Sequence, residues 1–348
     1  MAYKITKTRF RAFCAVAVST LIAVYGAQAQ EKVLNLYSAR HYSTDEALYT
    51  NFTKATGIKI NRLEGGEDQL LQRIKSEGAN SPADVFLTVD AGRLWLADQE
   101  GVFAPIQSKV LNDRIPSEYR LASGTWYGLS SRARVMVVDK LKVKPGDIAT
   151  YEDLADPKWK GQVCTRSGSH VYMLSLISSI IEHAGAEKAE AWAKGVVANL
   201  ARQPKGGDTD QIKAVAAGEC AVALSNSYYI ARMIKSDKAD DRAAMERVRI
   251  VWPNTNGRGV HMNVSGGGVL KYAPNRENAI KFMEYLVGDE AQGYFANGNN
   301  EWPIVSGLKV KNAALDAMGA FKPDSLNVIA LGKNQRLAQE IVNRVGWK

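Results

Sequence analysis

The chain has 348 residues, of which 46% are hydrophobic and 23% charged, and it contains 29 glycines and 10 prolines. Those proportions exclude a disordered chain, a collagen-like repeat and a coiled coil. The length suits two globular units, because a domain typically takes roughly 100–200 residues. Tyrosine is the most frequent aromatic residue, with 14 copies against 8 of phenylalanine and 7 of tryptophan.

The first 29 residues have the three parts of a secretory signal peptide. A basic head carries four cations, Lys4, Lys7, Arg9 and Arg11. An apolar run that ends near Tyr25 follows, and Ala27-Gln28-Ala29 fits a cleavage site, so we predict that residues 1–29 are removed. An uncleaved membrane anchor is the alternative, although the apolar run is short for a bilayer. We therefore expect an exported protein that resides in the periplasm.

The net charge argues against a nucleic-acid partner. Without the four cations of the basic head, 41 of the 45 basic residues remain against 36 acidic ones, a formal charge of +5. That charge is spread over the whole mature chain and forms no concentrated basic stripe, which excludes the electrostatic footprint of a nucleic-acid-binding protein.

Two cysteines remain after the predicted cleavage, Cys164 and Cys220. In an oxidising compartment we favour a disulfide between them, with two buried free thiols as the alternative. The sequence contains no C-x-x-C motif and no cluster of histidine with cysteine, so it excludes a zinc site of the thiolate type.

Short apolar strands alternate with amphipathic helices along the rest of the chain. The predicted strands are 33–38, 58–63, 83–89, 134–138, 162–165 and 220–224. The predicted helices are 45–55, 67–76, one that contains Leu94, Trp95 and Leu96, two that begin near Ser169 and Ser227, and 276–287. This alternation indicates an α/β protein with largely parallel sheets. Because no Pro/Gly/Ser linker divides the chain, we expect two lobes joined by crossing strands, and we predict a turn near the hinge at 265–268.

Polar and aromatic residues follow three of the predicted strands, at the sheet edge where open α/β sheets bind ligands. The residues concerned are His41, Tyr42, Tyr172, Tyr228 and Tyr229. Taken singly, each tyrosine could be a packing aromatic, and the histidine an ordinary hydrogen-bonded one. Their repetition at three equivalent junctions favours a single shared site.

Phenols at such a site point to a hard cation. Beside a trivalent ion a phenol can lose its proton and become an anionic oxygen ligand, and the positive end of a helix favours that charge. Several phenols with one imidazole suit Fe(III); they suit copper or zinc poorly, and the carboxylates that calcium or magnesium would need are missing. Tyr37 and Tyr49 lie within regular elements, and we interpret both as structural.

Six segments carry a family pattern over nearly the whole mature chain. They are LNLYSARHY, SPADVFLTVDAGRL, SGTWYGLSSRARVMVVD, CTRSGSHVY, KGGDTDQIKAVAAGECAVALSNSYY and NGNNEWPIV. With them the chain resembles the periplasmic ferric iron-binding proteins of ABC transporters, the bacterial transferrin-like substrate-binding proteins. The resemblance implies a two-lobed type II periplasmic binding fold with hinge strands and a metal cleft between the lobes. One lobe would hold residues 30–130 plus 260–310, and the other 131–259 plus 311–348.

The resemblance also implies a ligand set for Fe(III), made of the five junction residues with a water or small anion in the open position. One branch of the family uses a glutamate where this chain has Val89, which cannot coordinate, with Asp90 beside it. The chain is therefore similar to the tyrosine-rich branch. Four phenolates around Fe(III) leave a charge near −1, so nearby arginines are expected, with the candidates Arg40, Arg132, Arg166 and Arg232.

Family membership implies a binding protein and not an enzyme. Such a protein captures Fe(III), closes around it and docks on an inner-membrane ABC permease whose ATPase works on the cytoplasmic side; we expect a monomer. The alternatives are the same fold carrying a polyamine, an anion or a small organic solute, and an exported hydrolase. The sequence lacks the G-x-S-x-G, H-E-x-x-H and P-loop motifs that would support an enzyme of that kind.

Overall fold

A computed structural model describes residues 1–2, 32–40 and 42–348. Apart from Met1 and Ala2, the predicted signal peptide lies outside the described residues, and so does the candidate ligand His41. Residues 32–348 form one unit. No helix among the described residues is both long enough and apolar enough to cross a membrane.

Strands and helices alternate through the described part of the chain. The strands are β1 (Val33–Ser38), β2 (Lys59–Glu64), β3 (Val85–Thr88), β4 (Tyr127–Asp139), β5 (Val163–Cys164), β6 (Val222–Asn226), β7 (Val248–Val251), β8 (Met262–Val269) and β9 (Trp302–Pro303). The α-helices are α1 (Asp45–Thr56), α2 (Glu67–Glu77), α3 (Ala91–Gln99), α4 (Lys109–Arg114), α5 (Val171–Ala184), α6 (Ala186–Ala198), α7 (Asp208–Ala216), α8 (Ser227–Ile234), α9 (Ala239–Arg247), α10 (Arg276–Leu286), α11 (Asp289–Asn297), α12 (Ala313–Asp316), α13 (Ile329–Lys333) and α14 (Gln335–Val345).

The helix α1 illustrates how local sequence sets these elements. It begins with Asp45 and Glu46, whose charges suit the positive end of a helix. Leu48 and Phe52 lie one turn apart and are both buried, which gives the helix its apolar face. It ends at Gly57, whose φ of 72° is left-handed and costs glycine little.

The strands form a mixed sheet in the order β2-β1-β3-β8-β4-β6-β5, with β7 and β9 also paired to β4. β1 is parallel to β2 and β3, and β5 is parallel to β6. The prediction of largely parallel sheets is wrong in the middle, where β8 and β4 run antiparallel to each other and to β3 and β6. β4 and β8 pair with strands that are not their neighbours in sequence, so the alternation of strands and helices along the chain does not set their direction.

The glycine run at 266–268 is a strand and not the predicted turn, since it lies inside β8. A Cβ on any of the three glycines would collide with backbone: the Tyr127 carbonyl oxygen for Gly266, that of Phe86 for Gly267 and that of Thr125 for Gly268. Glycine is needed here because neighbouring chain segments approach too closely for a side chain.

Buried apolar side chains form one cluster around β1–β3 and two around β4–β6, on opposite faces of that part of the sheet. β4 passes between them, with Leu129 in the first cluster and Ala133 in another. β8 does the same, with Val264 in the first and Met262 in the other. The strands that cross between the cores are therefore β4 and β8. The lobe boundaries at 130, 259 and 310 remain predictions.

The predicted disulfide between Cys164 and Cys220 is present, with a Cα–Cα distance of 5.9 Å. Both cysteines are buried. Cys164 ends β5, and Cys220 lies two residues before β6, the strand that β5 pairs with. The disulfide therefore fastens the two strands that lead to Tyr172 and to Tyr228 with Tyr229.

We expect the double replacement Cys164→Ala with Cys220→Ala to lower the free energy of unfolding by about 4 kcal/mol, the loop-closure value for a separation of 56 residues. Urea denaturation of the metal-free protein, followed by circular dichroism, measures this change. The single variant Cys164→Ala, which also opens the disulfide, is the control and should lose a similar amount. Equal denaturation midpoints for wild type and double variant would contradict the expectation.

Candidate metal centre

Tyr42 lies in the loop between β1 and α1 and is buried. Its hydroxyl donates to Oε1 of Glu301 at 3.1 Å. The guanidinium carbon of Arg40 lies 4.8 Å from the centre of the Tyr42 ring, and Arg40 is itself held by Asp45, with Nε 2.6 Å from Oδ2. The first junction therefore presents a phenol whose ring and hydroxyl are both fixed by charged neighbours.

Tyr172 lies in the first turn of α5, which His170 caps. The Nδ1 atom of His170 accepts from the Tyr172 backbone N–H at 3.2 Å, and the two rings lie 4.6 Å apart. Burial, and next the charge of Arg166, lowers the pKa of His170 to about 3. The imidazole is therefore neutral near pH 7 and keeps the lone pair that the cap requires.

Tyr228 and Tyr229 lie in the first turn of α8, which follows β6 directly. Tyr228 is fully buried and Tyr229 is partly exposed. The strand end is fixed by Asp208, which accepts from the backbone N–H of Asn226 at 2.7 Å. The helix start is fixed by Ser227, whose Oγ accepts from the backbone N–H of Ala133 on β4 at 3.2 Å.

The fold brings the four tyrosines together. The hydroxyl oxygens of Tyr172 and Tyr228 lie 3.1 Å apart. The ring of Tyr228 lies 5.8 Å from that of Tyr42 and 4.3 Å from that of Tyr229, centre to centre. Three junctions that are distant in sequence thus supply four phenols to one cluster, as the sequence predicts. His41 belongs to the same predicted set but lies outside the described residues.

Burial raises the pKa of Tyr42, Tyr172 and Tyr228 above the ordinary value for a phenol. The charge of Glu301 raises the pKa of Tyr42 further, whereas Arg132 acts in the opposite direction on all three phenols. Without a cation, these three side chains are therefore neutral phenols near pH 7.

The four arginines proposed from the sequence all lie beside tyrosine rings. Their distances from guanidinium carbon to ring centre are 4.8 Å (Arg40 to Tyr42), 5.4 Å (Arg132 to Tyr172), 5.0 Å (Arg166 to Tyr172) and 5.4 Å (Arg232 to Tyr229). Most of their charge is already paired with carboxylates, at 2.6 Å for Arg40 with Asp45, 3.7 Å for Arg132 with Asp90 and 3.1 Å for Arg166 with Asp208. Arg232 is exposed and has no carboxylate partner within the described part of the chain.

Asp90, beside the position where one family branch has a glutamate, is committed to other partners. Its carboxylate accepts from the Gly92 N–H, the Ser175 hydroxyl and the Asn263 amide, each at 2.8 Å. Burial raises the pKa of Asp90 to about 6, against the opposing charge of Arg132. No group of three or more His, Cys, Asp or Glu side chains suited to a metal occurs among the described residues. Among the described residues, the predicted ligands are therefore all phenol oxygens.

A cavity of about 480 Å³ opens beside Tyr42. Its lining is polar and charged, and consists of Arg40, Tyr42, Ser43, Glu46, Arg62 and Glu64. Arg62 forms ion pairs with both carboxylates that line this cavity, with Glu46 at 2.8 Å and with Glu64 at 3.1 Å.

Sequence reasoning missed three residues that support the tyrosines: His170, Asp208 and Glu301. His170 caps α5 and Asp208 is the first residue of α7, positions where a polar side chain is ordinary, so the pattern alone gives no sign of a shared site. Glu301 lies 259 residues from Tyr42, its partner, and only the folded chain brings them together.

One hydrophobic cluster lies around β1–β3 and two lie around β4–β6, and the strands β4 and β8 cross between these two regions. With polar side chains gathered where strands end, this arrangement is that of a two-lobed solute-binding protein. Residues 80–322 match the family model described as bacterial extracellular solute-binding protein, and the chain belongs to that family.

Relatives and solved structures agree over almost the full length. The chain is 49% identical over 319 residues to Iron uptake protein A1 of Synechocystis, covering 92% of this chain and 88% of the relative. It is 55% identical to the Trichodesmium protein IdiA (FutA), solved in complex with iron and citrate ligands, with a TM-score of 0.87 over 91% of this chain and 100% of that one. Apo FutA2 of Synechocystis is 48% identical, with a TM-score of 0.86 over 92% and 100% of the two chains. These likenesses confirm the family resemblance and the two-lobed α/β fold.

Proposed function

We propose that this chain is a periplasmic substrate-binding protein that captures Fe(III) through tyrosinate oxygens and delivers it to an ABC-type importer. The observation that carries the proposal is the convergence of Tyr42, Tyr172, Tyr228 and Tyr229, with two of the hydroxyl oxygens 3.1 Å apart. His41 remains the fifth predicted ligand, and a water or small anion would complete the shell. The names of the relatives, which include Iron uptake protein A1 and Fe(3+)-binding periplasmic protein, support iron as the cargo.

Capture would proceed by exchange of protons for the metal ion. The buried phenols are neutral before binding, and a hard trivalent ion has the charge to displace their protons. Four phenolates and Fe(III) sum to −1, and the paired arginines contribute little net charge, so Arg232 supplies the compensating positive charge. The rings around the oxygens exclude water, which strengthens each electrostatic interaction in the cluster.

Ligands from both sides of the crossing strands would couple binding to closure. Tyr42 comes from the region of the first core, whereas Tyr172, Tyr228 and Tyr229 come from the region of β5 and β6. A cation that contacts both sets favours the arrangement in which they meet, and so biases the hinge equilibrium. The closed protein would then dock on an inner-membrane permease with its ATPase. The proposed role is binding and delivery, without a chemical step.

Loading the purified protein with ferric citrate tests the proposal. We expect a red-orange charge-transfer band from phenolate to Fe(III) and a rise of several degrees in the melting temperature, since a ligand that binds only the native state stabilises it. Tyr229→Phe should weaken the band and shift it to longer wavelength, because iron with one fewer phenolate is a stronger electron acceptor.

Two controls separate iron binding from effects of the citrate and of the trivalent charge. Citrate without metal should leave the melting temperature unchanged, and Ga(III) citrate should stabilise the protein without producing colour, because Ga(III) has the same charge and no accessible d-orbital acceptor. A colourless protein with an unchanged melting temperature after iron addition would refute the proposal and favour a polyamine, an anion or an organic solute as cargo.

A further inference from the structure

Asp208 is a fully buried carboxylate that the proposed metal site does not use as a ligand. It is the first residue of α7 and belongs to the same segment of the family pattern as Tyr228 and Tyr229. A buried carboxylate is costly unless its oxygens are satisfied, so the partners of Asp208 indicate what it holds.

Donors from three parts of the chain meet on Asp208. Oδ2 accepts from the backbone N–H of Asn226 at 2.7 Å and from Nη1 of Arg134 at 2.6 Å. Oδ1 accepts from Nη1 of Arg166 at 3.1 Å. Burial alone would raise the pKa of Asp208, but the charges of the two arginines, with the backbone N–H, hold that pKa below its ordinary value. The carboxylate is therefore ionised near pH 7.

Two of these donors fix the start of the segment that carries Tyr228. Asn226 is the last residue of β6, and Tyr228 follows two residues later in the first turn of α8. Arg134, on β4, also donates from Nη1 to the side-chain oxygen of Asn226 at 3.0 Å. Backbone and side chain of Asn226 are thus both held by the pair of Asp208 and Arg134.

The two arginines also connect Asp208 to the segment that carries Tyr172. Arg166 lies two residues after β5, and its guanidinium carbon is 5.0 Å from the centre of the Tyr172 ring. Arg134 reaches the same helix, since its Nη2 donates to Sδ of Met173 at 3.4 Å. One carboxylate therefore links the junction of Tyr172 to the junction of Tyr228.

We propose that Asp208 is a positioning residue that fixes these two junctions relative to each other, so that the oxygens of Tyr172 and Tyr228 can share one metal ion. The inference rests on the proposed function. The two oxygens lie 3.1 Å apart, where two phenolates repel each other unless a cation holds them. No bond of Asp208 uses a phenol proton, so all of them persist when the phenols ionise. Residues that orient a metal ligand typically contribute 10- to 100-fold to affinity.

An effect of charge alone is the alternative to positioning. Asp208→Asn leaves Arg134 and Arg166 without their carboxylate, and added positive charge favours ionised phenols. Charge alone therefore predicts tighter iron binding in Asp208→Asn and weaker binding in Arg166→Gln, which removes a cation. Positioning predicts weaker binding in both variants. Asparagine offers one acceptor oxygen where aspartate offers two, and glutamine lacks the guanidinium, so each variant breaks a link between the junctions.

The test measures Fe(III) affinity by competition with citrate for Asp208→Asn, Arg166→Gln and the double variant. The electron paramagnetic resonance signal of the bound Fe(III) reports the geometry of its ligands. We expect Asp208→Asn to weaken binding about 10- to 100-fold and to change this signal. Arg166→Gln should change the signal too and weaken binding less, because Asp208 keeps its other two donors. The double variant has the wild-type net charge, yet it should bind about as weakly as Asp208→Asn, since the same link is already broken.

Asp139→Asn is the matched control for the loss of a buried carboxylate that is paired with an arginine. Asp139 is also fully buried, and it accepts from Nε and Nη2 of Arg247, each at 3.1 Å, and from the backbone N–H of Leu141 at 2.9 Å. It is the last residue of β4 and contacts none of the tyrosines through these bonds. This variant should lower the melting temperature of the metal-free protein while the iron affinity and the resonance signal stay at their wild-type values.

Three results would overturn the positioning role: unchanged affinity in Asp208→Asn, tighter binding in that variant, or recovery of the wild-type affinity in the double variant. Failure of the proposed function looks different, because the wild-type protein itself would then show no charge-transfer band with iron. Arg166 is only partly buried, so Arg166→Gln keeps the test informative where Asp208→Asn is poorly folded. An unchanged resonance signal in Arg166→Gln would also overturn the proposal, because a change of charge alone leaves the ligand geometry as it is.

Discussion

Tyr228→Phe is expected to reduce Fe(III) affinity by more than about a hundredfold, a larger loss than removal of any other described phenol oxygen should cause. Loss of a residue that only supports a metal ligand already costs 10- to 100-fold in affinity. Tyr228 is fully buried and central, with its oxygen 3.1 Å from that of Tyr172 and its ring beside those of Tyr42 and Tyr229. Its loss removes one anionic donor and leaves the other phenols around a gap. Competition with citrate, followed by the charge-transfer band, gives the affinity.

The matched control for this result is Tyr49→Phe. Tyr49 is also buried, but it lies within α1 and packs on Phe282 in the first core, with ring centres 6.2 Å apart. Its replacement should leave both the affinity and the band at their wild-type values. An affinity of Tyr228→Phe within a few-fold of wild type, or an equal loss in both variants, would show that the Tyr228 oxygen is not a ligand.

The sequence predicts the elements around the tyrosine cluster because their signals are local. The strand predicted at 33–38 is β1, and the helix predicted at 45–55 is α1. Both have the apolar period of their type and end at clear boundaries, such as Gly57. The gathering of the tyrosines is predictable for a related reason. Each lies in the segment between a strand and the first turn of the next helix, and the carboxyl ends of such strands are where α/β sheets place ligands.

The middle of the sheet is harder to predict because its strands are specified by tertiary contacts. β4 runs from Tyr127 to Asp139, yet only 134–138 has the β-branched run of a strand. Its first half contains Ser130, Ser131 and Arg132, which are buried because partners elsewhere in the chain bind them. No local pattern indicates such partners. The contact between Glu301 and Tyr42 is hidden for the same reason, since the two residues lie 259 positions apart in the sequence.

The electrostatics of the tyrosine cluster bear on which cations it can hold. Its three most buried phenols are neutral, and most of the surrounding arginines are paired with carboxylates, so there is little net charge to attract a weakly charged ion. A divalent cation bound by four phenolates would leave a net charge of −2 in a buried site, whereas a trivalent cation would leave a net charge of −1. On the proposed function, selectivity for Fe(III) follows from the cost of ionising buried phenols.

The same argument fixes the pH dependence of binding. In the metal-free protein the phenols of Tyr42, Tyr172 and Tyr228 have pKa values raised by burial above the ordinary value near 10, so each carries a proton throughout pH 5–8. On the proposed function they bind iron in the ionised form, so binding would release one proton per phenol. Affinity therefore rises with pH, about tenfold per unit for each phenol ionised, and acid releases the metal.

Tyr172→Phe should accordingly lower the slope of log affinity against pH by about one over pH 5–8, because one fewer proton is released. Both proteins are titrated against citrate at the same iron concentration, so that iron hydrolysis and citrate protonation cancel in the difference between their slopes. Tyr49→Phe should keep the wild-type slope. A wild-type slope in Tyr172→Phe would mean that Tyr172 does not bind the metal as a phenolate, and the arrangement of four phenolates would then be wrong.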